Sequence, residues 1–393
     1  MAAACSREPP LDEQVEVHLQ RGDAAQAMAL VERALRDQPG DVAIQDLRVR
    51  VLLRIESPDA ALRAYAERWG RGGFDSPAVF REVAAGLLRA GLRAPDGILR
   101  SRAAGALAEW HAPDLLPVFR EALAHPDASV RALGVQGLRK LSGGEPARLL
   151  LGAFEDPQAE VRAAAASAAS GRSAPEIRAA LERVLADADP LVRLRALATL
   201  AKDGDVGAAG VLAKLLTDGS ASVRMHAAEA VGHLGIREAV PPLRGLLRDA
   251  NRYVRMYAAE ALVRLGVTEG RRVLTASLKH PDRSVALYAA EALSNLGDTA
   301  GSPILVEALG LDRDPSLRLY AAWTLARLND ARGVPTLEEL CRHQDAQVRM
   351  QAVWTLGELH DGLGVPGLRR SALDPAPSVR WQAAWSLAKG MRS

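Results

Sequence analysis

Three side chains near the middle of the chain have types and a spacing that could do chemistry. His226, Glu229 and His233 stand at i, i+3 and i+7, so on a helix they share one side and could donate to a metal ion. Three donors on a single helix leave a metal under-ligated unless another element contributes, so neither a metal nor a cofactor is expected. Cys5 and Cys341, the chain's 2 cysteines, make neither a disulfide framework nor a zinc site. The sequence holds no glycine-rich phosphate loop, nucleophile elbow or Cys-x-x-Cys motif, so no catalytic residue is assigned and the expectation is a protein that is not an enzyme.

What remains is a set of large and acidic side chains recurring at fixed intervals. Glu229, Glu260 and Glu291 are followed at the same register by Trp323, Trp354 and Trp385. Four residues before each stand Met225, Met256, Leu287, Leu319, Met350 and Trp381. The segment carrying them reads VRMHAAEAVGHLG from Val223 and returns from Val254, Val285, Leu317, Val348 and Val379. Weaker copies begin at Leu99, Val130, Val161 and Val192, and the ten anchors lie 31 residues apart except for one step of 32. Self-similarity at such a period marks a repeat array.

With the anchor at position 0 of a helix, positions 0, 4, 7, 8 and 11 fall within about 100° and form one buried stripe. Position 6, the Glu and Trp register, lies roughly opposite, with position 2 beside it. These twelve residues are expected on an outer face that binds a partner, because large apolar side chains away from a helix's own core mark interaction surfaces. Tyr257, Tyr288 and Tyr320, at position 3, are expected to fill the edges of the seams between layers.

Composition agrees with helices packed on small side chains: 48% of residues are hydrophobic but only 4% aromatic. A formal net charge of +2 makes no electrostatic case for nucleic acid. No run approaches 18 apolar residues, so no membrane span is expected. MAAACSREPP, a tail expected to be disordered over residues 1–10, lacks a charged start and an apolar stretch, which points to the cytoplasm. The alternative is a lipoprotein anchored through Cys5, if the true start lies upstream.

From Leu11 to about residue 70, RGDAAQAMALVERALRDQPGD resembles the second helix of a tetratricopeptide repeat, with Ala27, Val31, Ala34 and Pro39 at its small, bulky, small and turn positions. Ala61 and Tyr65 follow Ala27 and Val31 by 34 residues, that family's period. The first hairpin lacks the large aromatic usual in the family's opening helix. Arg71-Gly72-Gly73 then breaks the chain, and Asp75-Ser76-Pro77 reads as a helix start.

Residues 75–393 resemble the short HEAT-like repeats of the phycobilisome-lyase type, in about ten units. The marks are a first helix opening near a proline (Val240-Pro241, Val334-Pro335, Val365-Pro366), an Asp-Pro turn (Asp156-Pro157, Asp189-Pro190, Asp314-Pro315, Asp374-Pro375) and the Val-Arg second helix. The resemblance implies an all-α fold, an α-α superhelix in which helical hairpins stack into a right-handed solenoid. Arg131, Arg162, Arg193, Arg224, Arg255, Arg318, Arg349 and Arg380, one residue into their helices, are expected to form a ladder on the acidic turns.

Three enzyme classes resembling this architecture set the alternatives. Deoxyhypusine hydroxylases hold iron through His-Glu dipeptides, and this sequence contains none. Bilin lyases share the repeats, without a further constellation here to mark a bilin site. DNA glycosylases of HEAT-like fold combine groove tryptophans with a basic concave surface, whereas here the stripe continues into glutamates. The expectation is therefore a scaffold holding a protein or extended peptide in the groove; the alternative is an enzyme or enzyme subunit acting on a flat aromatic ligand. Six layers about 8–10 Å apart span on the order of 50 Å, room for roughly 15 extended residues. Trp381 and Trp385 occupy a last layer read as uncapped, which invites self-association.

Overall fold

The computed structural model describes residues 9–55, 57–69, 76–110, 116–139, 141–311, 314–328, 330–359 and 362–390; Cys5, Arg71-Gly72-Gly73 and Asp75 lie outside them. Every regular element among the described residues is a helix. They divide into two compact units, one drawn from within 1–103, 343–357 and 364–393, the other from 104–342 and 358–363. This differs from the sequence division at residues 70–75, which sets the first hairpins apart from all the repeats.

The first unit begins with two hairpins, α1 (Leu11–Gln20) with α2 (Ala24–Asp37) and α3 (Val42–Arg54) with α4 (Pro58–Ala66). Ala27, Val31, Ala61 and Tyr65 are fully buried, as small and bulky positions of a hairpin seam should be. Next comes α5 (Pro77–Leu92), joined to α4 by the Tyr65 and Phe80 rings, 4.8 Å apart, and by the Tyr65 hydroxyl, which accepts from Ser76 N–H at 2.7 Å. The chain then runs through α6 (Gly97–Trp110), α7 (Leu116–Leu123), α8 (Ala128–Leu138), α9 (Gly144–Ala153), α10 (Ala159–Ala168), α11 (Pro175–Arg183) and α12 (Pro190–Lys202). There follow α13 (Val206–Lys214), α14 (Ala221–Leu234), α15 (Val240–Leu246), α16 (Arg252–Arg264), α17 (Thr268–Ser277), α18 (Arg283–Asn295), α19 (Ser302–Leu311), α20 (Pro315–Arg327) and α21 (Val334–Leu340). The first unit resumes with α22 (Ala346–Gly357), α23 (Val365–Ser371) and α24 (Pro377–Gly390).

Each anchor lies in an even-numbered helix from α6 to α24, the second of its hairpin, and the local chemistry explains the start. Asp189 caps α12 by accepting Leu191 N–H at 2.8 Å, Asn251 caps α16 through Tyr253 N–H at 2.9 Å, and Asp314 caps α20 through Ser316 N–H at 2.8 Å. At the other end of α14, Gly235 takes φ +71°, a left-handed cap that a side chain would strain.

Within the second unit, successive second helices pack on one another through small side chains. Ala227, Ala228, Ala258, Ala259, Ala289, Ala290, Ala321 and Ala322, at positions 4 and 5, are fully buried. Apolar area removed from water is the main stabilising term, and no hairpin buries its own stripe without neighbours.

Candidate functional site

The arginine series forms a ladder. Arg162 sends Nε and Nη2 to the two carboxylate oxygens of Asp187 at 2.7 and 2.9 Å, and Nη1 to the Asp156 and Pro157 carbonyls of its own turn. Arg131 with Asp156, Arg224 with Asp249 and, in the first unit, Arg349 with Asp374 repeat the fork, each acid lying 25 residues on. Each carboxylate also accepts a backbone N–H of the turn that follows, from Gln158, Asp189, Asn251 and Ala376. The guanidinium beside each holds the Asp156, Asp187 and Asp249 carboxyls below the usual range. Arg318 turns instead to Glu339, while Arg193 and Arg255 keep the carbonyl pair. The forked arginines join layers, Arg193 and Arg255 hold their own turns, and position 6 is left as the place to look for binding.

Side chains of α14, α16, α18 and α20, most of them at position 3, 6 or 10, line a polar cleft of about 310 Å³. The Tyr257 and Tyr288 rings meet at a tilt of 43° with centroids 5.6 Å apart. Glu260 pairs with Arg264, one turn on, at 2.8 Å. Glu291 accepts from the Tyr320 hydroxyl and from Arg327 at 3.1 Å, and the Arg327 guanidinium lies 4.8 Å from the centre of the Trp323 ring. Burial raises the Glu291 carboxyl above its ordinary value, against the pull of Tyr320 and Arg327. Burial likewise pushes the Tyr257, Tyr288 and Tyr320 hydroxyls up. Glu229 is half-buried and makes no ion pair or hydrogen bond among the described residues.

Position 6 of α6, α8, α10 and α12 carries no large aromatic or acidic side chain. Gly105, Gln136 and Ser167, at position 6, open a wider groove of about 770 Å³ with Arg139 and Arg195 on its walls. Reading the sequence for large residues misses this stretch. The signal for it was a run of Gly, Gln and Ser where later repeats carry Glu and Trp.

The outer face expected at position 2 is corrected. Met256 is 4% exposed, Leu287 and Met350 0%, and Leu319 6%; only Met225 and Trp381 are half-buried. In an array a second helix meets neighbours on both flanks as well as its own first helix, so its buried arc is wider than one stripe. Met256 accordingly packs with Ala259, Leu274, Ala289 and Leu293 from three helices. Position 6 holds its place better. Glu229, Glu260, Glu291, Trp323 and Trp354 are half-buried, but Trp385 is 1% exposed. The stripe is also shared out: Met225 to Trp323 belong to the second unit, and Met350, Trp354, Trp381 and Trp385 to the first.

The last layer is not uncapped. Arg380 sends Nε and Nη2 to Asp59 Oδ1 at 3.0 and 2.8 Å, Trp381 Nε1 donates to the same oxygen at 3.1 Å, and α24 packs on α5. The Trp385 ring lies beside Gly91 of α5. As for the histidines, His226 Nδ1 lies 2.8 Å from the Ser222 carbonyl of its own helix, and no group of three or more His, Cys, Asp or Glu among the described residues could hold a metal.

Paired helices stacked through their second members, with a ladder of turns along one edge, define a helical solenoid. The family model for HEAT repeats matches residues 85–170, 146–230, 177–262, 208–294, 240–318 and 302–388, and the chain belongs to that family. No curated protein matches it. Among solved structures it is similar to the YibA protein of Escherichia coli, 19% identical over 72% of this chain and 98% of that one, TM-score 0.34. It is similar to human deoxyhypusine hydroxylase, solved with glycerol, 19% identical over 72% and 96%, TM-score 0.31. It is also similar to the CpcE–CpcF phycocyanin lyase complex of Nostoc sp. PCC7120, 20% identical over 74% and 95%, TM-score 0.35. No described helix is long and apolar enough to cross a membrane.

Proposed function

We propose that this chain is a non-enzymatic scaffold whose second-helix face, in the unit that runs from Ala104 in α6 through α21, holds an extended segment of a partner protein. One observation carries the reading. A single register, position 6, passes from Gly105, Gln136 and Ser167 to Glu229, Glu260 and Glu291, so a roomy groove and a carboxylate-lined cleft occupy the same face of one compact unit. Room suits bulky side chains of a ligand, and Glu229 suits a basic one, which would set orientation and encounter rate.

The test fills one part and reverses the other. Ser167→Trp writes into an early repeat the residue that late repeats carry, and Glu260→Lys reverses a charge in the cleft. Proteins captured by the intact chain should be lost from both variants, with helix content unchanged by circular dichroism. A captured set that ignores both substitutions would sink the reading.

One observation favours a second reading, an enzyme acting on a flat aromatic ligand: a carboxyl raised by burial, Glu291, in a cleft beside a pair of tyrosines is what a general acid requires. A chromophore in the absorption spectrum of the purified protein would support it.

A further inference from the structure

We propose that α4 and α5 are a cap in cis, and that the face of α24 they cover, once released, fits the same edge of a second copy of this chain. The cap imitates a further repeat. Four second-helix arginines, Arg131, Arg162, Arg224 and Arg349, fork onto both oxygens of an aspartate 25 residues on; Arg380 likewise sets Nη1 on the carbonyls of its own turn, Asp374 and Pro375, and aims Nε and Nη2 at an aspartate, but both reach one oxygen, Oδ1, and the acid is Asp59, 321 residues away in the first turn of α4. Asp59 thus stands where the next layer's ladder acid would stand. It is also held by Arg63 at 2.6 Å, and its carboxyl is lowered through bonds from Trp381, Arg380 and Arg63 that outweigh the opposing effect of burial.

The covered face is unlike an ordinary outer surface. Trp381 and Trp385 meet edge to face with centroids 6.4 Å apart, and Arg380 is 7% exposed beside them. Opened to water, it would present two indoles and a guanidinium together, the residue types that dominate association energetics. Closure is not without cost, since the Trp385 Nε1–H is buried with no acceptor among the described residues. Each chain carries both halves, the Asp59 edge and the Arg380 face, so two opened copies can satisfy each other reciprocally. Charge complementarity selects this occupant over an unrelated apolar segment, because the acid edge that fits the face is already part of the chain.

The experiment uses full-length chains with Asp59→Lys, with Arg380→Glu, and with both. Either single change sets like charges across the contact. Amide exchange in α24 should then quicken by about tenfold or more while α16 is unchanged, since opening is local. Mixing the two single variants makes both reciprocal contacts complementary, so light scattering should show a species of two chains absent from either alone. The double variant should close in cis again, with slow exchange and the mass of one chain, and this separates a broken contact from a chain that cannot fold. Native exchange rates in α24 of both single variants would overturn the cap. Quickened exchange in a mixture that stays at single-chain mass would overturn the fit to a second copy, and a double variant that fails to recover would overturn the pairing of Asp59 with Arg380.

Discussion

Arg162 shows what one residue does in this architecture. Its guanidinium joins two layers by forking onto Asp187 and ties its own turn by holding two carbonyls, with its side chain 18% and that of Asp187 8% exposed. Removing the arginine leaves a mostly buried carboxylate short of its donors, so Arg162→Ala should cost about 1–3 kcal/mol at pH 7. The pH dependence has a definite sign. Because the Asp187 carboxyl is held low, the unfolded chain binds its proton more readily than the folded one. The stabilisation is whole above the ordinary carboxylate value, about 4, and is lost as pH falls through the lowered one. Urea unfolding at pH 7, 5 and 3 should therefore show the gap between wild type and Arg162→Ala shrinking at the acid end. A gap as wide at pH 3 as at pH 7 would assign the effect to the carbonyl contacts instead.

Between elements, the limiting quantity is space. A Cβ on Gly301, which precedes α19, would sit 2.5 Å from Ala290 Cα and 2.7 Å from its carbonyl oxygen, backbone that cannot step aside. Gly301→Ala should destabilise by about 1–3 kcal/mol. Gly152, inside α9, has nothing within 4 Å of such a Cβ, and there the same change should stabilise by about 0.5–1 kcal/mol. Thermal melts of the two variants should move in opposite directions; a fall for both would mean that helix approach is not what sets the glycines. The sequence showed the second helices at once, because the anchors and the alanines at positions 4 and 5 repeat with the layer. It misplaced Met256, Leu287, Leu319 and Met350, since a wheel drawn for one helix takes no account of flanking layers. Asp59 was invisible, because no periodicity links α4 to α24. The Tyr257 and Tyr288 seam was legible, because aromatic residues at position 3 adjoin the buried stripe, whereas the binding of Glu291 by Arg327 was not, since that arginine lies 36 residues further on.

At the scale of the whole chain, most contacts join helices one layer apart, while the contact of Asp59 with Arg380 spans 321 residues. Closing a flexible loop of that length rather than a 25-residue one costs about 2 kcal/mol more in chain entropy. A nascent array has little reason to bring its ends together early, since hairpins and their neighbours can form at the lower cost. Once the repeats have stacked, much of that chain entropy has already been lost. The expected order is therefore hairpins, then stacked layers, then the cap. Pulse-labelled exchange during refolding can read this through two probes, the amides of α16 and α18 and the Trp381 indole N–H that donates to Asp59. The amides should gain protection first, and the indole should follow in a separate, later phase that Asp59→Ala, which removes the acceptor, abolishes without slowing the earlier one. Simultaneous protection of both probes would mean that the ends meet before the repeats between them are ordered, and the local route would be wrong.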